Sequence, residues 1–403
     1  MATTTFGERA QARCRPDVTC FIPDLGDGGA QRAAIKLAGG LAARGLAVDL
    51  VLLKGRLKNS GDRDLLKRAN GHCSGIQAGR TGELARAGDD IGARIIELTA
   101  GRVVTAIPGV VQYLRREQPR ALVSFLSHAN VAAIAACALA RVETRLVVVE
   151  QNTVSAVRST FRKDVCLPTL IRRFYPRAHA VVGVSEGVAS DLVSQLGIPA
   201  GKVSVIYNPV VDDALVDGAA MEPDHRWFAD NSIPIFVAAG RLNVQKDFPT
   251  LLRAFRMLRE KRPVRLIILG EGEERAHLEE LIAAMNLTDD VALPGFTENP
   301  YAYMSRAVAF VLSSRWEGLP TVLIEALVCG CPVISTDCPS GPREILSQGH
   351  YGTLVPVGDV GAMSEAMGRA LDAPRRADEL KAHASRYSVE RAVSQYLRLL
   401  DLS

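Results

Sequence analysis

Two carboxylates, Glu317 and Glu325, are the residues whose type and spacing most directly suggest a binding site. They lie eight positions apart, across a predicted strand-to-helix junction. Glu317 falls in a Gly/Pro loop after the apolar run 307–312, and Glu325 lies about one turn into the next predicted helix. Ligands of open parallel sheets bind beyond the carboxyl ends of the strands, where carboxylates can accept hydrogen bonds from sugar hydroxyls. Alone, the pair indicates either a sugar-binding crevice or two solvated surface acids.

Two cations, Arg241 and Lys246, follow another predicted strand at 234–239, and Asp247 is the predicted N-cap of the next helix. A forked guanidinium and a compact ammonium at a helix N-terminus suit a pyrophosphate leaving group. They would neutralise the charge that grows on it as a glycosyl bond breaks. Taken singly, either residue is more often a surface cation. A common site is indicated by the order of these features along the chain. A strand, Arg241, Lys246 and a helix are followed by a strand, Glu317 and a helix that contains Glu325.

Several motifs in the second half of the chain together resemble one enzyme family. They are Gly240-Arg241-Leu242 through Lys246, the Glu317 and Glu325 pair, Gly330-Cys331-Pro332-Val333-Ile334, and Pro339-Ser340-Gly341-Pro342-Arg343-Glu344. Residues 237–346 resemble the nucleotide-binding half of the family 4 retaining glycosyltransferases of GT-B fold. The last motif is familiar from bacterial members acting on surface polysaccharides or lipid-linked sugars. The N-terminal half matches more loosely, through residues 28–32 and His128, because this half of the family holds the variable acceptor.

The resemblance implies an α/β fold with two Rossmann-like parallel-sheet domains that face a central cleft. The alternation of predicted strands and helices favours the same fold. The predicted domains are an acceptor-side domain at 17–208 and a nucleotide-sugar-binding domain at 212–385, with a final helix, at about 386–403, that crosses back to the first. Predicted strands lie at 19–22, 48–53, 121–125, 146–149, 180–184, 203–206, 235–238, 266–269, 291–293, 309–312 and 332–335.

The resemblance also implies the roles of individual residues. The implied catalytic residues are Arg241, Lys246, Glu317 and His128, and the implied donor-binding residues are Gly28, Gly29, Phe296, Gly318, Leu319, Thr321 and Glu325. The cations would stabilise the departing diphosphate, Glu317 would hold sugar hydroxyls and Glu325 the ribose hydroxyls. Loop N–H groups would take the place of a metal, so no metal and no other cofactor is expected. A leaving phosphate oxygen would take the acceptor proton, so no protein nucleophile is needed.

The implied reaction is retaining transfer of a hexosyl or N-acetylhexosaminyl group from a nucleoside diphosphate sugar, with UDP favoured over GDP. The acceptor would be a glycan or a lipid-linked sugar, in cell-surface polysaccharide biosynthesis. The alternatives are a nucleotide-sugar epimerase of the same fold and a non-catalytic partner of a glycosyltransferase complex.

Two further motifs argue against other enzyme classes. A metal-dependent transferase needs Asp-x-Asp at a strand end, and Asp62-Arg63-Asp64 has no apolar strand before it. The loop at Gly26 and Gly28 has Gln31 where a dinucleotide fingerprint requires glycine.

Charge is distributed unevenly along the chain. Residues 1–210 contain 28 Lys+Arg against 17 Asp+Glu, whereas residues 211–403 contain 20 against 27. A basic first half favours docking on anionic headgroups of the inner membrane leaflet, through basic clusters at 54–68 and 158–177. Nucleic acid is disfavoured as a partner because zinc-finger spacing is lacking and aromatic residues make up only 5% of the chain.

The remaining composition predicts a cytoplasmic protein, peripheral to the membrane where it docks. No apolar run approaches the ~18 residues that a membrane span needs, and residues 1–16 contain no apolar signal core. The eight cysteines lack CxxC pairs, which predicts reduced thiols, mostly in the core, rather than a zinc site.

Overall fold

Two parallel β-sheets packed against helices form the protein in this computed structural model, which describes residues 15–25, 28–53, 92–98, 100, 102–155, 166–229 and 232–402. The Asp62-Arg63-Asp64 motif and the basic residues at 54–68 and 158–163 lie outside these ranges. The predicted GT-B architecture is confirmed by the two sheets. Within the described ranges, no helix has both the length and the apolar character needed to cross a bilayer.

The first sheet has the strand order β3-β2-β1-β4-β5-β6-β7, and every neighbouring pair is parallel. Its strands are β1 (Val18–Ile22), β2 (Val48–Leu52), β3 (Arg94–Glu97), β4 (Ala121–Phe125), β5 (Arg145–Glu150), β6 (Ala180–Gly183) and β7 (Val203–Val205). The helices packed with this sheet are α1 (Gly29–Ala42), α2 (Ile107–Glu117), α3 (Ser127–Ala140), α4 (Leu167–Phe174) and α5 (Glu186–Ser194).

The second sheet has the order β10-β9-β8-β11-β12-β13 and is also parallel throughout. Its strands are β8 (Ile235–Ala239), β9 (Arg265–Leu269), β10 (Val291–Gly295), β11 (Ala309–Leu312), β12 (Val333–Thr336) and β13 (Thr353–Val355). The remaining helices are α6 (Asp213–Ala220), α7 (Phe248–Arg259), α8 (Arg275–Ala284), α9 (Pro300–Arg306), α10 (Thr321–Val328), α11 (Pro342–Ile345), α12 (Val360–Asp372), α13 (Ala377–Ala384) and α14 (Val389–Leu400).

The central strands are buried along their whole length, as expected for parallel strands that helices cover on both faces. The strand order reverses once in each sheet, between β1 and β4 in the first sheet and between β8 and β11 in the second. Ligands of open α/β sheets bind at such reversal points, beyond the carboxyl ends of the strands. The fold therefore places the loops after β1, β4, β8 and β11 where a ligand would bind.

The last helix, α14, returns to the first domain as predicted. It packs on α1, where a Cβ on Gly40 would meet Val389 and Val393 methyl groups at 2.8 and 2.6 Å. The carbonyl of Leu399 accepts a 2.9 Å hydrogen bond from Arg145 at the start of β5. The close approach at Gly40 explains why a residue without a side chain lies inside α1.

Candidate functional site

Lys246 and Glu317 form a shielded ion pair between the loops after β8 and β11. Lys246 Nζ lies 2.6 Å from Glu317 Oε1, and the two side chains are 14% and 8% exposed. The Ser314 hydroxyl donates to the same oxygen at 2.6 Å. Among the residues that the structure describes, Glu317 Oε2 has only a 3.5 Å contact from the amide of Gln245, which is at the limit of a hydrogen bond. That oxygen can therefore accept another donor.

Further hydrogen bonds, from side chains to backbone carbonyls, join the loops after β8 and β11. The Ser313 hydroxyl donates to the Lys246 carbonyl at 2.6 Å, and the Gln245 amide donates to the Trp316 carbonyl at 2.9 Å. Asp247 lies at the N-cap position of α7, but its backbone is left-handed at φ 48 and its side chain caps no N–H. Its carboxylate instead binds Arg315 at 3.0 Å and the Thr250 hydroxyl at 2.9 Å. The position predicted for Asp247 is confirmed, whereas the predicted capping bond is wrong because Arg315 and Thr250 take both oxygens.

Arg241 projects into solvent at the rim of this site. Its side chain is 74% exposed, and its Nε lies 3.6 Å from Glu273 Oε2. Glu273 is itself 61% exposed, so the pair contributes little to stability. The guanidinium is accordingly held loosely and can turn toward an anion.

Glu325 lies inside the second turn of α10 and is only 3% exposed. Its Oε1 lies 3.4 Å from Nη1 of Arg32, a residue of α1. Its Oε2 is buried and has no hydrogen-bond partner among the described residues. Tyr301 faces this carboxylate, and the pKa of its hydroxyl is raised, first by burial and then by the charge of Glu325. An acceptor oxygen buried without a donor is costly, and ligand hydroxyls would satisfy it.

The glycine-rich segments bring the two domains together. A Cβ on Gly29 would lie 3.5 Å from the Thr321 hydroxyl at the start of α10. Gly318 forms an antiparallel bridge with Asn152, beyond the end of β5, and Leu319 beside it is buried. Gly28, Gly29, Gly318, Leu319 and Thr321 therefore lie along one seam between the sheets.

Replacement of Gly318 by alanine is expected to reduce turnover on the order of 10²-fold. The new methyl group would overlap the carbonyl oxygen of Gln151, which belongs to the other domain. A shift of about 1 Å between reacting groups can cost this much. The measurement is kcat/KM, with Gly201→Ala as the control because a Cβ at Gly201 meets nothing within 4 Å. Equal turnover in both variants would contradict a closed seam during the reaction.

His128 lies in the first turn of α3, after β4, with its side chain exposed. The preceding Leu126 has φ 75, a strained value for a residue with a side chain. A buried carboxylate holds this turn: Glu150 accepts hydrogen bonds from the Ser127 hydroxyl at 2.8 Å and the Tyr175 hydroxyl at 2.7 Å. Burial raises the pKa of Glu150 despite these donors. The arrangement fixes the backbone next to His128.

Phe296 follows β10 and is half-buried. The neighbouring loops after β9 and β10 are joined by Arg275, which donates to Glu271 at 2.8 Å and to the Leu293 carbonyl at 2.9 Å. Glu271 and Glu273 precede α8 and pair with Arg275 and Arg241, respectively. Because β10 is the edge strand of the second sheet and lies two strands from β8, Phe296 is at the edge of the site.

Sequence reasoning missed the partners of these groups. Arg32, Ser314, Gln245 and Tyr301 were not singled out, although all contact or face a predicted site carboxylate. Arg32 lies one helical turn after Gly28 and Gly29, and residues at this spacing share one face of a helix. This spacing could have indicated that Arg32 lies near the predicted donor site. The remaining partners become visible only when distant loops are brought together.

Two family models match the chain. The model described as Glycosyl transferases group 1 matches residues 224–387, and the model described as Glycosyltransferase Family 4 matches residues 27–214. The first match includes Arg241, Lys246, Glu317 and Glu325. The second includes Gly28, Gly29 and His128.

Two characterised bacterial relatives are similar over part of their length. The N-acetylgalactosamine-N,N'-diacetylbacillosaminyl-diphospho-undecaprenol 4-alpha-N-acetylgalactosaminyltransferase of Campylobacter jejuni is 35% identical over 232 residues, which is 57% of this chain and 61% of that protein. The lipopolysaccharide 1,6-galactosyltransferase of Escherichia coli K12 is 28% identical over 183 residues, which is 44% of this chain and 48% of that protein. The matched segments thus span about three fifths and one half of these relatives.

Solved structures are similar over almost the whole chain. Anabaena HepE, in complex with UDP and glucose, has a TM-score of 0.76 at 19% identity and covers 96% of this chain and 99% of its own. Sucrose-phosphate synthase from Thermosynechococcus elongatus has a TM-score of 0.76 at 18% identity, covering 96% and 100%. At these identities the likeness shows the fold alone. The fold, the two family matches and the bacterial relatives together show that the chain belongs to the family 4 glycosyltransferases of GT-B fold.

Proposed function

We propose that the protein transfers a hexosyl or N-acetylhexosaminyl group from a nucleoside diphosphate sugar, with UDP favoured, to a glycan or lipid-linked acceptor. The observation that carries this proposal is the placement of two cations and two carboxylates at the reversal point of the second sheet. Arg241 and Lys246 follow β8, and Glu317 and Glu325 follow β11. The cations oppose the charge of a diphosphate, and the carboxylates accept hydrogen bonds from hydroxyls.

Each charged group has a separate role in the proposed site. Arg241, loosely paired with Glu273, turns onto the diphosphate, while Lys246 stays fixed by Glu317 and stabilises the leaving group. Glu317 accepts sugar hydroxyls through Oε2. Glu325 accepts ribose hydroxyls through its buried Oε2, which has no donor within the described parts of the chain. Because two cations act on the diphosphate, we propose that transfer requires no metal.

The proposed reaction retains the configuration at the anomeric carbon. The bond from this carbon to the diphosphate breaks, a bond to the acceptor oxygen forms on the same face, and the acceptor proton passes to a diphosphate oxygen. Glu317 is poorly suited to act as a nucleophile because the ammonium of Lys246, 2.6 Å from Oε1, neutralises the charge of its carboxylate. His128, across the cleft beyond β4, orients the sugar or the acceptor.

The proposed acceptor is a glycan or lipid-linked sugar at the cytoplasmic face of a membrane, in cell-surface polysaccharide biosynthesis. The names of the two relatives support this class, since one includes diphospho-undecaprenol and the other lipopolysaccharide. The basic first half supports docking on anionic lipid. Its described cluster, Arg172, Arg173 and Arg177, is exposed, and each such residue adds about 1 kcal/mol near an anionic surface.

Nucleotide binding can be tested by thermal unfolding with UDP, GDP and ADP, each with EDTA or magnesium. We expect one nucleotide to stabilise the protein in EDTA, by about 2.7 kcal/mol at 100 times its Kd. Glu325→Ala should abolish this shift because it removes the acceptor for ribose hydroxyls. Glu365→Ala, on an acid that is 77% exposed on α12, is the matched control and should keep the shift.

The outcomes separate the proposed function from its alternatives. A strict requirement for magnesium would contradict metal-independent transfer, and no response to any nucleotide would contradict a donor site. Product analysis then separates the remaining classes. A new glycoside supports transfer, an isomerised nucleotide sugar supports epimerisation, and binding without turnover supports a non-catalytic partner.

A further inference from the structure

Arg32 extends from the first domain to the carboxylate that we assign to ribose binding. It lies 293 positions from Glu325 in the sequence, yet its Nη1 is 3.4 Å from Glu325 Oε1. The side chains of the pair are 20% and 4% exposed. A distance of 3.4 Å is longer than the 2.7–2.9 Å of a strong charge-assisted hydrogen bond. The contact is thus electrostatic and shielded, and it leaves Glu325 able to bind other donors.

The position of Arg32 is fixed by the face of α1 on which it lies. Gly29, Arg32 and Lys36 are spaced three and four residues apart, so they share one side of the helix. Gly29 meets Thr321 at the start of α10, and Lys36 Nζ lies 2.8 Å from Asp212 at the N-cap of α6. This face of α1 therefore docks along the second domain, with Arg32 between the two contacts.

The two oxygens of Glu325 have different surroundings. Oε1 faces Arg32, whereas Oε2 is buried without a hydrogen-bond partner among the described residues. Tyr301 from α9 and Cys329 from the end of α10 also face this carboxylate, and burial raises the pKa of both. They are therefore neutral near pH 7, and Arg32 brings the positive charge to Glu325.

We propose that Arg32 is a positioning residue of the donor site, contributed by the first domain. Its ion pair with Oε1 holds the Glu325 carboxylate so that Oε2 accepts the ribose hydroxyls. This inference rests on the proposed role of Glu325 in nucleotide binding. Because the pair exists only when α1 is docked on the second domain, the nucleotide binds the closed arrangement more tightly and favours it in return.

Calorimetry in EDTA first identifies which of UDP, GDP and ADP binds the unmodified full chain. The Kd for that nucleotide is then measured for each variant. Arg32→Met should weaken binding at least tenfold, and Arg32→Lys should restore part of the loss. Arg256→Met is the control and should change Kd less than twofold, because Arg256 is a half-exposed arginine of α7 that pairs with Glu260, four residues further along the chain. Arg32→Gln replaces Arg32→Met if the latter does not fold.

A double-mutant cycle tests whether Arg32 acts through Glu325. The Arg32→Met/Glu325→Gln variant should bind no more weakly than Glu325→Gln alone. If the losses caused by the two single substitutions multiplied in the double variant, the inference would be overturned, and an equal loss of binding in Arg256→Met would also overturn it. Normal binding by Arg32→Met would overturn the inference but leave the proposed function intact. If the unmodified protein bound no nucleotide, the proposed function would fail, and the inference with it.

Discussion

Arg241→Ala is expected to lower kcat/KM by about 10²-fold, the scale of losing one preorganised charge-stabilising group. Its free energy of unfolding should differ from that of the unmodified protein by no more than about 0.5 kcal/mol. We expect a large loss of kcat/KM with little loss of stability because the Arg241 side chain is 74% exposed and its contact with Glu273 is long. In the folded protein the side chain makes only a weak ion pair among the described residues, which fits the diphosphate-binding role that we propose for it.

The measurement is the initial rate of nucleoside diphosphate release, together with urea unfolding. Arg256→Ala is the matched control, since Arg256 is a half-exposed arginine of α7 that pairs with Glu260 away from the cleft. It should leave both quantities unchanged. Wild-type turnover in Arg241→Ala would exclude the proposed diphosphate role.

The architecture could be predicted because parallel strands leave strong local signals. The predicted strands at 121–125 and 309–312 coincide with β4 and β11, since both are continuous apolar runs bounded by turns. Two strands were missed, β3 and β13, with only four and three residues. β3 is fixed by a nonlocal cluster: Arg94 binds Asp49 at 2.6 and 2.8 Å and Glu117 at 2.7 Å. A local pattern does not contain such bonds.

The positions of Arg241, Lys246, Glu317 and Glu325 beyond strand ends could be predicted from the sequence, but the contacts between them could not. The motifs contain the four charged residues at the reversal point of the second sheet. The sequence does not indicate that Lys246 and Glu317 bind each other, or that Arg241 stays exposed beside Glu273. These contacts depend on how loops that are distant in the sequence meet at the sheet edge, since Lys246 and Glu317 are 71 residues apart. Because of that pairing, we expect Lys246 to contribute to stability as well as to the proposed reaction.

Lys246→Met is expected to lower both turnover and stability, in contrast to Arg241→Ala. Loss of the ammonium leaves the shielded Glu317 carboxylate with Ser314 as its nearest remaining donor. Removing one partner of a buried ion pair costs about 3–5 kcal/mol. The lost leaving-group charge should also reduce kcat by about 10²–10³-fold. Urea unfolding and diphosphate release measure the two effects.

The double variant Lys246→Met/Glu317→Gln separates structure from chemistry. A neutral amide at position 317 can bind Ser314 without leaving a buried charge, so most of the lost stability should return. Turnover should stay as low as in Lys246→Met, because the leaving group still lacks its ammonium. Recovery of turnover together with stability would mean that Lys246 serves only to neutralise Glu317. An unchanged unfolding midpoint in Lys246→Met would mean that the pair is not shielded in solution.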